Sequence, residues 1–134
     1  MRILGVDLGR RRTGLALSDT HELTCSPLEV LEERNEEQLL QKIMRVAEEH
    51  KVGQIVVGLP RPLAGGTNAQ LEAVLAFVGV LEARSTVPVA TWDERFTSKL
   101  AQSGRKKDPS LDAVAACYML QSYLDSRVIR GRDE

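Results

Sequence analysis

Histidine is nearly missing from this chain and cysteine is scarce. His21 and His50 stand alone among 134 residues, and Cys25 and Cys117 are the two thiols. Neither a zinc spacing nor a disulfide framework fits such a set. Both cysteines read as free thiols in a reducing cytoplasm. Aromatics make up 4%, so no base-stacking platform stands out in the sequence. No apolar run is long enough for a bilayer, and the first residues lack the apolar block of a secretory signal. A cytoplasmic location with no membrane partner is therefore expected. An excess of one charge is lacking too. The 18 basic and 19 acidic side chains leave −1, which argues against a strongly basic nucleic-acid binder.

What is present suits one compact domain. Apolar residues reach 43%, enough for a core and too many for a disordered chain. The charges are sorted along the chain. Glu29, Glu32, Glu33, Glu36, Glu37, Glu48 and Glu49 share one stretch, while Arg10 to Arg12, Arg61, Arg95 with Lys99, and Arg105 to Lys107 are basic. A nearly neutral protein can still present a basic face, because local field governs steering.

Period and punctuation give the elements. Arg2 to Asp7 and Thr13 to Ser18 read as a hairpin, and Leu23 to Leu31 as a third strand with Pro27 favouring an edge. Asn35 caps a helix whose stripe is Leu39, Leu40, Ile43, Val46 and Ala47. Gln54 to Gly58 is a β-branched run of the central parallel kind. Leu59 to Gly66 is a loop. Thr67 with Gln70 has capping-box spacing, and Leu71, Val74, Leu75, Val78 and Leu81 would face the core. Val87 to Thr91 is a strand, Trp92 to Lys107 is polar and basic, and a buried helix runs from Pro109 and Ser110 to about Leu124. Residues 1–126 would form the domain and 127–134 a charged tail. The expected fold class is α/β with a mixed, about five-stranded sheet flanked by helices.

Three carboxylates carry the chemical interest. Asp7 ends the first strand between Gly5 and Gly9, Glu94 follows the last strand, and Asp112 lies in the first turn of the last helix. Ligands in such sheets gather beyond the carboxyl ends of the strands, where Asp7, the loop after Gly58 and Asp93 to Arg95 all fall. A buried carboxylate needs a partner, and a cation or an arginine can serve. Each residue also has a plain reading: Asp7 pairing with Arg10, Glu94 bridging to Arg95 or Lys99, Asp112 complementing a helix dipole. If the three converge, their mutual repulsion is relieved by a divalent cation. Oxygen ligands favour Mg2+ or Mn2+, and such ions can activate water against a phosphodiester.

The segments Gly5 to Asp19, Ile55 to Pro60, Thr91 to Ser98, and Leu111 to Ala116 with Leu120 to Asp125 together resemble the YqgF/RuvX family. Its members are Holliday-junction-resolvase-like proteins with a ribonuclease H fold. The resemblance covers nearly the whole chain and implies a three-layer ribonuclease H-like domain. It also implies a metal-dependent endonuclease whose catalytic, metal-binding residues are Asp7, Glu94 and Asp112. Arg11, Arg12, Arg95, Thr97 and Ser98 match the family's basic and glutamate motifs, and Lys106 and Lys107 partly match its basic run; these would contact nucleic acid. The implied substrate is the 5′ end of precursor 16S rRNA, with 5′-phosphate and 3′-hydroxyl products. Branched DNA and a non-catalytic ribosome-assembly role are the alternatives. A monomer and a homodimer are both compatible with the sequence. The segment from Arg95 to Leu111 is shorter than in typical members.

Overall fold

The computed structural model describes residues 1–96 and 110–133, with the side chains of 110 and 129–133 excepted. Five strands form one sheet: β1 (Ile3–Leu8), β2 (Thr13–Ser18), β3 (Cys25–Leu31), β4 (Gln54–Leu59) and β5 (Val89–Asp93). Their order across the sheet is β3-β2-β1-β4-β5. β1 is antiparallel to β2 and parallel to β4, and β4 is parallel to β5. Three helices, α1 (Glu36–Glu49), α2 (Ala69–Arg84) and α3 (Ser110–Asp133), occur among the described residues. The expected mixed α/β sheet is thus the observed one.

Alternation along the strands builds two cores. Leu4, Val6, Leu15, Ile55, Val57 and Leu59 pack with the buried faces of α1 and α2. Ile3, Ala16 and Val56 point the other way and meet Ala116, Met119, Leu120 and Leu124 of α3. Successive strand side chains face opposite sides, so Gly5 and Asp7 share the α3 face with Ile3. The result is three layers: α1 and α2, the sheet, then α3, which lies across β1, β2 and β3.

Local chemistry explains most boundaries. Asn35 caps α1 by accepting from the Gln38 N–H at 3.0 Å, and all five expected stripe residues are buried. Pro27 does lie in an edge strand, beside a register shift at Leu15 and Ala16, where the missing N–H is harmless. β5 starts two residues later than expected. Pro88 has no N–H for the ladder, and its carbonyl instead accepts from Ile55 N.

Three expectations need correction. The cap of α2 is Asn68, which accepts from Leu71 N at 2.9 Å, and not Thr67; asparagine ranks above threonine as a cap. Leu75 is 42% exposed, whereas Phe77 is buried. Either could complete the stripe of Leu71, Val74, Val78 and Leu81, and the larger ring gains more from burial. Finally, α3 continues to Asp133 rather than ending near Leu124. Leu124 is its last fully buried side chain among those described, but no breaker precedes Gly131 and the helical backbone runs on. Arg127 pairs with Glu22 at 2.6 Å and sits over the Tyr123 ring.

Candidate active site

Asp7 lies near the carboxyl end of the central strand and is only 8% exposed. It is partnered directly by Gly14 across the β1–β2 ladder. On its other side Val6 pairs with Val57, so Asp7 and Gly58 each stand one residue further along. Both neighbouring glycines share the α3 face with Asp7.

Those glycines are where the other two acidic residues come in. A Cβ on Gly14 would overlap the backbone carbonyl of Asp112; the first turn of α3 rests directly on β2. A Cβ on Gly58 would lie 2.7 Å from Oε1 of Glu94 and 3.1 Å from Cγ of Met119. The Glu94 side chain therefore lies over β4, in space that only a glycine leaves open. The Asp112 backbone over β2 and the Glu94 side chain over β4 thus stand on opposite sides of β1, on the face that Asp7 shares. None of the three is without a partner, as burial demands of Asp7.

The turn that carries Glu94 is braced. Glu94–Phe96 is a single 3-10 turn after β5. Trp92 Nε1 donates to Ser122 Oγ at 3.0 Å, and Ser122 Oγ donates to the Phe96 carbonyl at 3.2 Å. The Trp92 ring meets Phe96 at 5.4 Å and Tyr123 at 5.7 Å. One helix therefore positions both flanking residues: Asp112 by its first turn, Glu94 through Ser122.

The arginines are differently placed. Arg95 forks onto Asp93, with Nε at 2.9 Å and Nη2 at 2.6 Å from Oδ2, and Arg61 Nε lies 3.9 Å from the same oxygen. The Arg95 hydrogen bonds hold the Asp93 carboxyl below its ordinary value against the opposing effect of burial. So Arg95 pairs with Asp93, not with Glu94. Arg12 pairs with Glu32 at 3.0 Å, both partly exposed, and Arg11 is exposed at the hairpin tip. Thr97, Ser98, Lys106 and Lys107 lie outside the described residues.

Two features escaped the sequence reading. Tyr118, although it lies in the apolar helix expected to be buried, is 46% exposed, and Phe96 is 64% exposed. With Trp92 they line a groove beside the Glu94 turn, together with Ser122 and Asp125. Scarcity hid this: four of the five aromatic residues sit together here, and only Phe77 is elsewhere. The braces from Trp92 and Ser122 had no signal in sequence either, because their partners are 30 residues apart.

Among the described residues, no group of three or more His, Cys, Asp or Glu side chains is gathered closely enough to hold a metal ion. The donor chemistry still suits a hard divalent cation. The acidic residues around Asp7 offer oxygen only, and the two glycines keep bulk away from it. Magnesium in particular takes one or two carboxylates and keeps several waters.

A family model described as "RuvX: Holliday junction resolvase" matches residues 1–126. The chain belongs to the RuvX family. A "Putative pre-16S rRNA nuclease" of Desulforudis audaxviator is 42% identical over 135 residues, covering 95% of this chain and 96% of the relative. A protein of the same name from Clostridium acetobutylicum is 37% identical, covering 94% and 99%. Among solved structures, Thermus thermophilus RuvC superposes with a TM-score of 0.62 at 18% identity, covering 96% of both chains. A fowlpox virus resolvase bound to Holliday junction DNA gives 0.59 at 15% identity, covering 96% of this chain and 99% of that one. These two likenesses fix the ribonuclease H-like fold of the RuvX chain.

Proposed function

We propose that this RuvX-family chain is a divalent-metal-dependent endonuclease that processes the 5′ end of precursor 16S rRNA in the cytoplasm. The observation that carries the reading is the placement of Glu94 over Gly58 and of the Asp112 backbone over Gly14, on either side of the strand that bears Asp7. The family membership and the relatives' names support the substrate class.

Asp7, Glu94 and Asp112 would hold Mg2+ or Mn2+. When bound, the cation supplies an activated water and charge neutralisation at the phosphodiester. The chain's own part is geometric and electrostatic. Asp7, buried at the strand end, fixes the centre of the site. Glu94 and Asp112 are steered onto it by one helix, so their spacing is set by the packing of α3 on the sheet. Hydrolysis leaves a 5′-phosphate and a 3′-hydroxyl, and no protein nucleophile is needed. Arg11 and Arg12 at the hairpin tip are suited to the phosphate backbone. The exposed Arg12–Glu32 pair is a weak one and can open for a phosphate. Arg95, Thr97, Ser98, Lys106 and Lys107 complete the proposed nucleic-acid contacts. The aromatic groove beside Glu94 offers faces on which unpaired bases stack.

The test is cleavage of precursor rRNA and of a four-way DNA junction with Mg2+ or Mn2+, comparing wild type with Asp7→Asn. Metal-dependent cutting of the RNA, reduced at least about 100-fold in the variant, is the expected outcome. Preference for the junction would transfer the reading to the resolvase activity in the family's description. Salt-sensitive RNA binding without any turnover would instead mean a ribosome-assembly factor.

A further inference from the structure

Cys25 opens the edge strand β3, and Cys117 lies in the first half of α3, 92 residues away in sequence. Their sulfurs are 3.1 Å apart. The Cys25 thiol also donates to the Cys117 carbonyl at 3.0 Å, and Gln121 Oε1 stands 3.7 Å from its sulfur. Both are free thiols, and neither is fully buried. Neither takes part in the proposed chemistry. A disulfide has an S–S length of about 2.05 Å, so closure by about 1 Å would join them. Paired thiols so close are an arrangement that the packing of a core does not by itself require.

We propose that Cys25 and Cys117 are an oxidation site, closing reversibly to an intramolecular disulfide when the protein meets a peroxide. The two sulfurs differ in character. The hydrogen bond between the two sulfurs holds the Cys117 thiol below its ordinary value. That same bond, with burial, pushes the Cys25 thiol well up. The Cys117 carbonyl and Gln121 Oε1 both stand as acceptors for the Cys25 thiol and hold its proton in place, so Cys117 is assigned as the attacking thiolate and Cys25 as the resolving thiol. In the first step the Cys117 sulfur attacks a peroxide oxygen. The S–O bond forms, the O–O bond breaks, and the departing hydroxide takes up a proton as water. In the second step the Cys25 sulfur attacks the sulfenic sulfur of Cys117. The S–S bond forms, the S–O bond breaks, and hydroxide leaves as water with the Cys25 proton. Two thiols lose two electrons, and one hydrogen peroxide becomes two waters. The product ties α3, the helix that bears Asp112, to the far edge of the sheet.

The experiment uses the full chain and hydrogen peroxide as the probe. After treatment, remaining thiols are alkylated and the intact mass is read. A monomer about 2 Da lighter, with neither thiol alkylated, is expected, and a proteolytic map should join the Cys25 and Cys117 peptides. Melting should rise by at least about 5 °C, because the bridge closes a long loop, and dithiothreitol should reverse both effects. In Cys25→Ser, Cys117 should stop at a sulfenic acid that dimedone traps; in Cys117→Ser, trapping at Cys25 should be far slower. Thiols that stay alkylatable, bridges between chains, or sulfinic acid accumulating on the wild type would overturn the proposal. The wild-type readout stands even if a variant folds poorly.

Discussion

Adding one methyl group at Gly58 tests the site without touching any acidic residue. The new Cβ would lie 2.7 Å from Glu94 Oε1, 3.0 Å from its Cγ and 3.1 Å from Met119 Cγ, against an ordinary contact of 3.4 Å or more. Glu94 must therefore retreat by about 0.7 Å, taking 2.7 from 3.4. Both obstacles belong to flexible side chains, so the stability cost belongs at the low end of overpacking, about 1 kcal/mol. Alanine in place of a strand glycine returns about 0.5–1 kcal/mol of backbone entropy. The two nearly cancel, and Gly58→Ala should unfold in urea within about 1 kcal/mol of wild type. Catalysis is less forgiving. A displacement approaching 1 Å of a group that positions the reaction costs on the order of 100-fold.

Gly14→Ala makes the opposite pattern. Its Cβ would meet a backbone carbonyl on α3, which cannot rotate away, so the helix start must lift off β2. The cost should be about 3 kcal/mol or more, a large part of the roughly 7–20 kcal/mol available to a domain of this size. The assay is paired: urea unfolding for stability, and metal-dependent cleavage of precursor rRNA for activity. If Gly58→Ala cuts at the wild-type rate, Glu94 is not needed where it lies. If Gly14→Ala is as stable as wild type, the first turn of α3 does not rest on β2, and the convergence argument fails.

Other outcomes follow from the same packing. Phe77→Ala should cost about 3–5 kcal/mol in urea unfolding, whereas exposed Leu75→Ala should cost less than about 0.5 kcal/mol; equal losses would contradict the assigned helix phase. The Arg95 hydrogen bonds depress the Asp93 carboxyl below its ordinary value of 3.8. Its stabilisation is therefore fully present above about pH 5 and is lost as pH falls through the folded-state value. The urea midpoint of wild type should drop more than that of Asp93→Asn between about pH 5 and pH 3, and parallel drops would rule the pair out as a contributor. Phe96→Ala and Tyr118→Ala should each weaken single-stranded RNA binding by about 1–3 kcal/mol while leaving melting nearly unchanged, because both rings are exposed. Unaltered affinity in a titration would remove the stacking role.

Much of this fold was legible because its signals are local. The stripe of α1 and its Asn35 cap lie within a few residues of one another, and the β-branched run of β4 needs both faces covered. The phase of α2 was half legible: Leu71, Val74, Val78 and Leu81 define a stripe that either Leu75 or Phe77 can complete, and only the neighbouring sheet chooses. The end of α3 lies further on than expected because full burial, among the described side chains, stops at Leu124 while helical backbone does not. For the site, Asp7, Glu94 and Asp112 were named from strand ends and resemblance. How they approach could not be read, since the deciding residues are Gly14 and Gly58, whose message is an absent side chain. Asp93 as the partner of Arg95 was equally silent. A run of Asp-Glu-Arg allows either carboxylate to take the arginine, and the 3-10 turn decides it.

The placement of the acidic residues follows from where β1 sits. Only a strand with neighbours on both sides can be approached from both, and β1 has β2 on one side and β4 on the other. Only one face of β1 is open to this use. On the other, Leu4, Val6 and Leu8 join the core beneath α1 and α2, where a carboxylate would have no oxygen-bearing company. On the α3 face, large side chains fill the sheet up to Ile3, Ala16 and Val56, and towards the carboxyl end of β1 they give way to Gly5, Gly14 and Gly58. Packing thus tapers off where Asp7 begins. The same helix that closes the lower part of this face brings Asp112 over β2 and, through Ser122, steadies the turn that brings Glu94 over β4. A lesion that loosens α3, such as Ser122→Ala, therefore acts on Glu94 without touching it, whereas a lesion in α1 or α2 acts on stability alone.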